Sequence, residues 1–137
     1  MTKLVIVIDS GSLEKLQTMS MVVSGAVASD FEVYLFFMYD AAYALRKDNP
    51  SSKLDQQSIY PEVTDKYKAA RKEGKVHFWT EILEELKEIG ELKIVACSQV
   101  SDITGLTKEN LMTIVDDIAG VAALAEEIKD ADNVIVI

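Results

Sequence analysis

Lys93-Ile94-Val95-Ala96-Cys97-Ser98-Gln99-Val100-Ser101 decides how the rest of the chain is read. Glu91 to Val95 passes from the last turn before a strand into the strand itself, and Ala96 and Cys97 stand where that strand ends. Ser98 to Gly105 reads as a loop, and Thr107 and Asn110 can cap a helix after it. A parallel α/β sheet presents its chemistry just past the carboxyl ends of its strands. The spacing therefore puts the only cysteine of the chain where such a fold acts. The competing reading is a buried, inert thiol, because free cysteine is among the most buried residue types.

Upstream, Leu4 to Ile8 is an unbroken run of leucine and β-branched residues, the pattern of a strand covered on both faces. Asp9-Ser10-Gly11-Ser12 is the turn after it, where Ser10 or Ser12 can accept from a free helix N–H and Gly11 tolerates a tight turn. Leu13, Leu16, Met19, Val23, Ala26 and Val27 recur at helical spacing, predicting a helix over Leu13 to Ala28. Few charges follow Lys15, so much of that helix should be covered, an oligomer interface being one way to cover it. Phe31 to Met38 reads as the second strand, and Tyr39 to Arg46 as a short helix with Tyr39 and Tyr43 packed at the strand mouth. Asp48 to Gly74 changes character, with a break at Asn49-Pro50-Ser51-Ser52 and a charged helix from Pro61. It reads as a polar insertion around 48–75, a solvated excursion with a lid over the Cys97 loop as its functional alternative.

His77-Phe78-Trp79 opens the next helix, with Ile82, Leu83, Leu86 and Ile89 on its apolar face and Gly90 as its stop. Beyond the cysteine region, Leu111 to Val115 reads as a short strand, Gly120 to Lys129 as a helix and Asn133 to Ile137 as the last strand. Strands that alternate with helices imply a mainly parallel sheet with right-handed crossovers.

The 137 residues suffice for one domain with a real core. Asp and Glu outnumber Lys and Arg by 23 to 14, and a net charge of −9 disfavours a phosphate backbone as partner. The apolar start before Asp9 is too short for a signal peptide or a membrane span, so a cytoplasmic protein with no membrane partner is expected. One cysteine excludes an internal disulfide, a CxxC motif and a metal site built from several thiolates. His77, the sole histidine, reads as structural, so neither a metal site nor a cofactor is expected. There is no GxGxxG, P-loop or HExxH motif, and the Ser10-Gly11-Ser12 turn is a weak anion-site signal on its own.

Cys97 stands apart. Helix N-termini favour a thiolate, and Ser98, Gln99, Ser101 and Thr104 offer donors to a sulfur anion. With no second thiol to resolve it, the cysteine suits a carrier that hands sulfur to a partner's thiolate rather than a dithiol oxidoreductase.

Cys97-Ser98-x-x-Ser101-Asp102-x-x-Gly105-Leu106, after an Ile-Val-Ala strand, resembles the active-cysteine region of the DsrE/DsrF-like sulfur-relay proteins. Leu4 to Ile8 with Asp9-Ser10-Gly11, Val33 to Met38, Gly120 with the helix after it, and Val134 to Ile137 are similar to other parts of that family. The chain departs from the pattern at Ala41-Ala42, where many members have glycine, and in the Asp48 to Gly74 excursion. The resemblance implies a flavodoxin-like three-layer α/β/α domain with a five-stranded sheet, assembled as a homotrimer or homohexamer. It implies sulfur transfer through Cys97 as a persulfide or thiosulfonate, with a TusA-like or rhodanese-like partner. Ser10, Gly11, Ser98, Ser101 and Gly105 are the expected substrate-binding residues. Some branches of the family serve only as assembly partners, which leaves a non-catalytic subunit, or a small-anion binder, as the competing readings. Cys97 is expected at or near the surface, and Cys97→Ser, nearly isosteric, is expected to leave fold and assembly intact.

Overall fold

The computed structural model describes residues 1–49 and 58–137, so Pro50-Ser51-Ser52 of the expected break lies outside the described residues. Leu4 to Ile8 is buried throughout and forms β1 (Lys3–Ile8), and Val33 to Phe37 is equally buried in β2 (Glu32–Phe37). The expected runs at Lys93 and Asn133 become β3 (Leu92–Cys97) and β5 (Asn133–Val136), and β4 (Asp117–Ala119) is a strand of three residues. The sheet order is β4-β3-β2-β1-β5, and every pairing is parallel.

Parallel strands need crossovers, and the helices supply them. α1 (Leu13–Ala28) joins β1 to β2, and α4 (Trp79–Ile89) leads into β3. These two helices pack on each other over one face. α6 (Val121–Lys129) returns the chain from β4 to β5 past three strands, in the opposite direction along the sheet. A right-handed crossover in that direction puts α6 on the other face, which completes a three-layer α/β/α fold. Lys3 and Glu127 form an ion pair that ties β1 to α6, and that hydrogen bond is the main cause holding the Lys3 ammonium above its ordinary value.

The core is one apolar cluster centred on β1, β2 and β3, filled by Ile6, Leu16, Leu35, Phe36, Leu83 and Ile94, with the Trp79 ring 6.3 Å from that of Phe37. The start of α4 is fixed by one side chain from α1 and one of its own. Gln17 Oε1 accepts from Trp79 N at 2.6 Å, and Glu81 Oε1 accepts from Phe78 N at 3.0 Å. Arg71, from α3 (Pro61–Lys72), donates to the same carboxylate at 2.9 Å. α3 is thus tied to the amino end of α4, and a groove of about 480 Å3 between it and α1 is lined by Leu13, Met21, Val22, Val63 and Tyr67.

Three expectations are corrected. Ser98 to Gly105 is a helix, α5 (Ser98–Thr104), not a loop. Its hydroxyls are absorbed by the helix itself: Ser101 Oγ donates to Cys97 O at 2.8 Å and Thr104 Oγ1 to Val100 O at 2.6 Å, each four residues back. Thr107 and Asn110 start no helix; they bond each other's main chain in a turn, and Leu111 to Val115 contributes only an isolated bridge from Leu111 to Arg46. Tyr39 and Tyr43 are exposed, Tyr43 lying under the Arg46 guanidinium at 3.9 Å.

Candidate functional site

Phe36 sits opposite Val95 and Phe37 opposite Ala96, so β2 gives out at Met38 just as β3 reaches Cys97. Cys97 is both the last residue of β3 and the N-cap of α5, and in the sheet it pairs with Ala119 of β4. Its backbone, φ −62° and ψ 128°, is the extended geometry an N-cap adopts. The thiol makes no capping hydrogen bond to α5. At 2% relative exposure Cys97 is buried, against the expectation of a surface thiol. It belongs to the main apolar cluster of the core, together with Ala41, Ala42, Val100, Leu106 and Leu111.

Ser98 opens α5 and is half-buried, and a Cβ on Gly120, the N-cap of α6, would lie 3.5 Å from its Oγ. The amino ends of two helices therefore converge beside the cysteine. Ser101 is buried and spends its hydroxyl on Cys97 O, so it positions the cysteine's main chain. Gly105 ends α5 in the left-handed region at φ +77°, which explains a glycine there without any ligand. It lies at the far end of α5, roughly 12 Å from Cys97 at 1.5 Å per residue.

Ser10 and Gly11 sit past the end of β1, on the other side of β2 from Cys97. At ordinary strand spacing that is about 10 Å away. Two of their groups have partners within the protein. Gly11 N donates to Asp40 Oδ1 at 2.8 Å, and Ser10 Oγ accepts from Ser12 N at 3.2 Å. The Asp40 carboxylate takes the Gly11 N–H, one of the donors that an anion at the Ser10-Gly11-Ser12 turn would use. Gly11 is required there for closeness, since a Cβ would stand 2.6 Å from Asp40 O.

The profile of the DsrE/DsrF-like family matches residues 2–137. The chain belongs to that family. Among solved structures it is similar to the YchN protein from E. coli, at 23% identity and a TM-score of 0.64 over all of both chains. It is also similar to MTH1491, a protein of unknown function from Methanobacterium thermoautotrophicum, at 15% identity and a TM-score of 0.65 over 98% of this chain and 99% of that one. Both likenesses concern the fold. No curated protein matches. Membership of the DsrE/DsrF-like family points to a sulfur-relay-related role.

For a DsrE/DsrF-like chain, the residues brought together are Cys97, Ser98 and Ser101; Gly105, Ser10 and Gly11 stand apart from them. Met38, Tyr39, Asp40 and Gly120 were not among the expected site residues, yet they border the same strand ends. Gly120 carried a signal, a glycine directly before an apolar helix. The Asp40 contact carried none, because its partner is 29 residues away. His77 is exposed, its Nδ1 3.9 Å from Glu81 Oε2. Among the described residues no group of three or more His, Cys, Asp or Glu side chains is placed to hold a metal, and no helix is long and apolar enough to cross a membrane.

Proposed function

We propose that this protein is a sulfur carrier or sulfurtransferase that works through Cys97. The observation that carries the reading is the position of the sole thiol, at the carboxyl end of β3 where two helix amino ends converge, in a chain of the DsrE/DsrF-like family. In the loading step the Cys97 thiolate attacks the outer sulfur of a donor persulfide. The new S–S bond forms as the donor's S–S bond breaks, and the donor thiolate leaves with the bonding pair. In the unloading step a partner's thiolate attacks the terminal sulfur and Cys97 departs as thiolate, so the two steps involve no net oxidation. With thiosulfate as donor, sulfite is the leaving group. A small TusA-like or rhodanese-like protein fits the role of partner, and no cofactor enters either step.

The working form in this reading is a homotrimer or homohexamer in the cytoplasm. Exposed apolar residues support an assembly: Met21 on α1, Val121 on α6, and Val134 and Val136 on the edge strand β5. An open edge of that kind invites a covering partner. The burial of Cys97 favours a second reading, a silent assembly subunit. Intact mass spectrometry after incubation with thiosulfate, tetrathionate or polysulfide separates the two. The carrier gains sulfur mass on wild-type protein and none on a Cys97 variant; wild-type protein that takes up nothing from any donor leaves the silent subunit.

A further inference from the structure

We propose that α2 (Tyr39–Tyr43) is a hinged cover over Cys97, latched by Asp40 and biased toward opening by the backbone of Tyr39. This rests on Cys97 being the sulfur-carrying thiol, because a buried thiol can meet another protein's thiolate only after something moves. Two candidates flank it. α5 is covalently continuous with Cys97 and ends β3 in regular geometry. α2 arrives from the neighbouring strand, packs on both β3 and α5, and buries Ala41 and Ala42 in the cluster that holds Cys97. It is a single turn of five residues with no side-chain cap, and it keeps Tyr39 and Tyr43 outside.

Its first residue is strained. Tyr39 has φ +49°, in the left-handed region that a side chain with a Cβ disfavours. Among the described residues the other non-glycine residue there, Asp30, is of a type that enters this region readily and lies in the turn after α1. The Tyr39 side chain is 61% exposed, so little packing compensates the strain. The visible restraint is next to it, where Asp40 Oδ1 accepts from Gly11 N at 2.8 Å and the absent Cβ of Gly11 lets Asp40 O come close. The carboxyl end of α2 is anchored, with Leu45 buried and its O accepting from Met112 N at 2.8 Å, so the strained entry residue and one charged hydrogen bond make the amino end the side that can hinge. Backbone outliers of this kind concentrate at sites that have to change shape.

The test is the rate at which iodoacetamide labels Cys97 in native protein, followed by intact mass across low urea. Tyr39→Ala and Tyr39→Gly both remove the ring and differ in strain, so the glycine variant should label about fivefold more slowly than the alanine variant. Asp40→Ala should label about tenfold faster than wild type through loss of a charge-assisted bond, with Asp40→Asn in between should the alanine variant fail to fold. Labelling through a local cover stays flat in urea below the unfolding transition, which a merely less stable fold does not. Equal rates in the two Tyr39 variants, wild-type rates in the Asp40 variants, or labelling that climbs with urea from the outset overturns the cover; so does a thiol that labels in no variant. Labelling as expected without sulfur uptake overturns the carrier and leaves the cover standing.

Discussion

Cys97→Ser, the customary control for a reactive cysteine, should weaken this fold more than Cys97→Ala. The site is 2% exposed and lies in an apolar cluster, and the thiol makes no capping bond to α5. A serine hydroxyl in the same rotamer would be buried without a partner, at about 1–3 kcal/mol. Swinging round to cap α5 would recover about 1 kcal/mol, but only in a rotamer the cysteine does not adopt. The burial cost wins, for a net loss of about 1–2 kcal/mol. Alanine loses only the contacts of one sulfur atom, about 1 kcal/mol with the small void it leaves. For a chain of this length each kcal/mol lowers Tm by about 3–5 °C, so the serine variant should melt about 3–10 °C below wild type. Calorimetry on the three proteins at one concentration checks the order. A serine variant as stable as wild type, or more stable than the alanine variant, refutes the reasoning and means that the hydroxyl caps α5.

Two further outcomes are expected. Burial alone would raise the Glu81 carboxyl, but the hydrogen bond from Phe78 N, then the bond and charge of Arg71, outweigh it and hold the group below its ordinary value. A carboxyl lowered by folding stabilises above its unfolded value, near 4.5, and that contribution is lost as pH falls through the folded value. Arg71→Met should therefore cost about 0.5–1 kcal/mol at pH 7 and less at pH 3, as read by urea unfolding at both pH values, and an equal loss at both would contradict the assignment. The exposed apolar residues of β5, α1 and α6 predict a homo-oligomer in solution; a monomer in sedimentation equilibrium at micromolar concentration would contradict that, and Val136→Lys should shift the assembly toward monomer.

What was legible in the sequence was what one strand or helix decides for itself. Leu4 to Ile8 and Val33 to Phe37 are apolar without interruption because helices cover both faces, and both runs are buried where their composition puts them. β4 escaped because its Asp117-Ile118-Ala119 carries no strand pattern, and its pairing is dictated by Val95, Ala96 and Cys97 alongside. α5 escaped for a different reason. Serine and threonine compete for backbone partners in loops, and Ser98, Ser101 and Thr104 read that way; in the fold two of those hydroxyls bond carbonyls of their own helix.

The same distinction governs the site. The strand end at Cys97 was legible because it is local, whereas the helix start there read as a loop, and the burial of Cys97 in one cluster with Ala41 and Ala42 of α2 is a matter of tertiary packing. Several of the polar groups expected at the substrate also make contacts within the fold: Gly11 N donates to Asp40, Ser10 Oγ accepts from Ser12 N, and Ser101 Oγ donates to Cys97 O. Ser98 and the convergent helix ends remain nearest the thiol. Under the proposed carrier role the burial of Cys97 puts discrimination in what uncovers the thiol, and a partner that engages α2 would bring its own thiolate to Cys97 only when the two proteins are already docked.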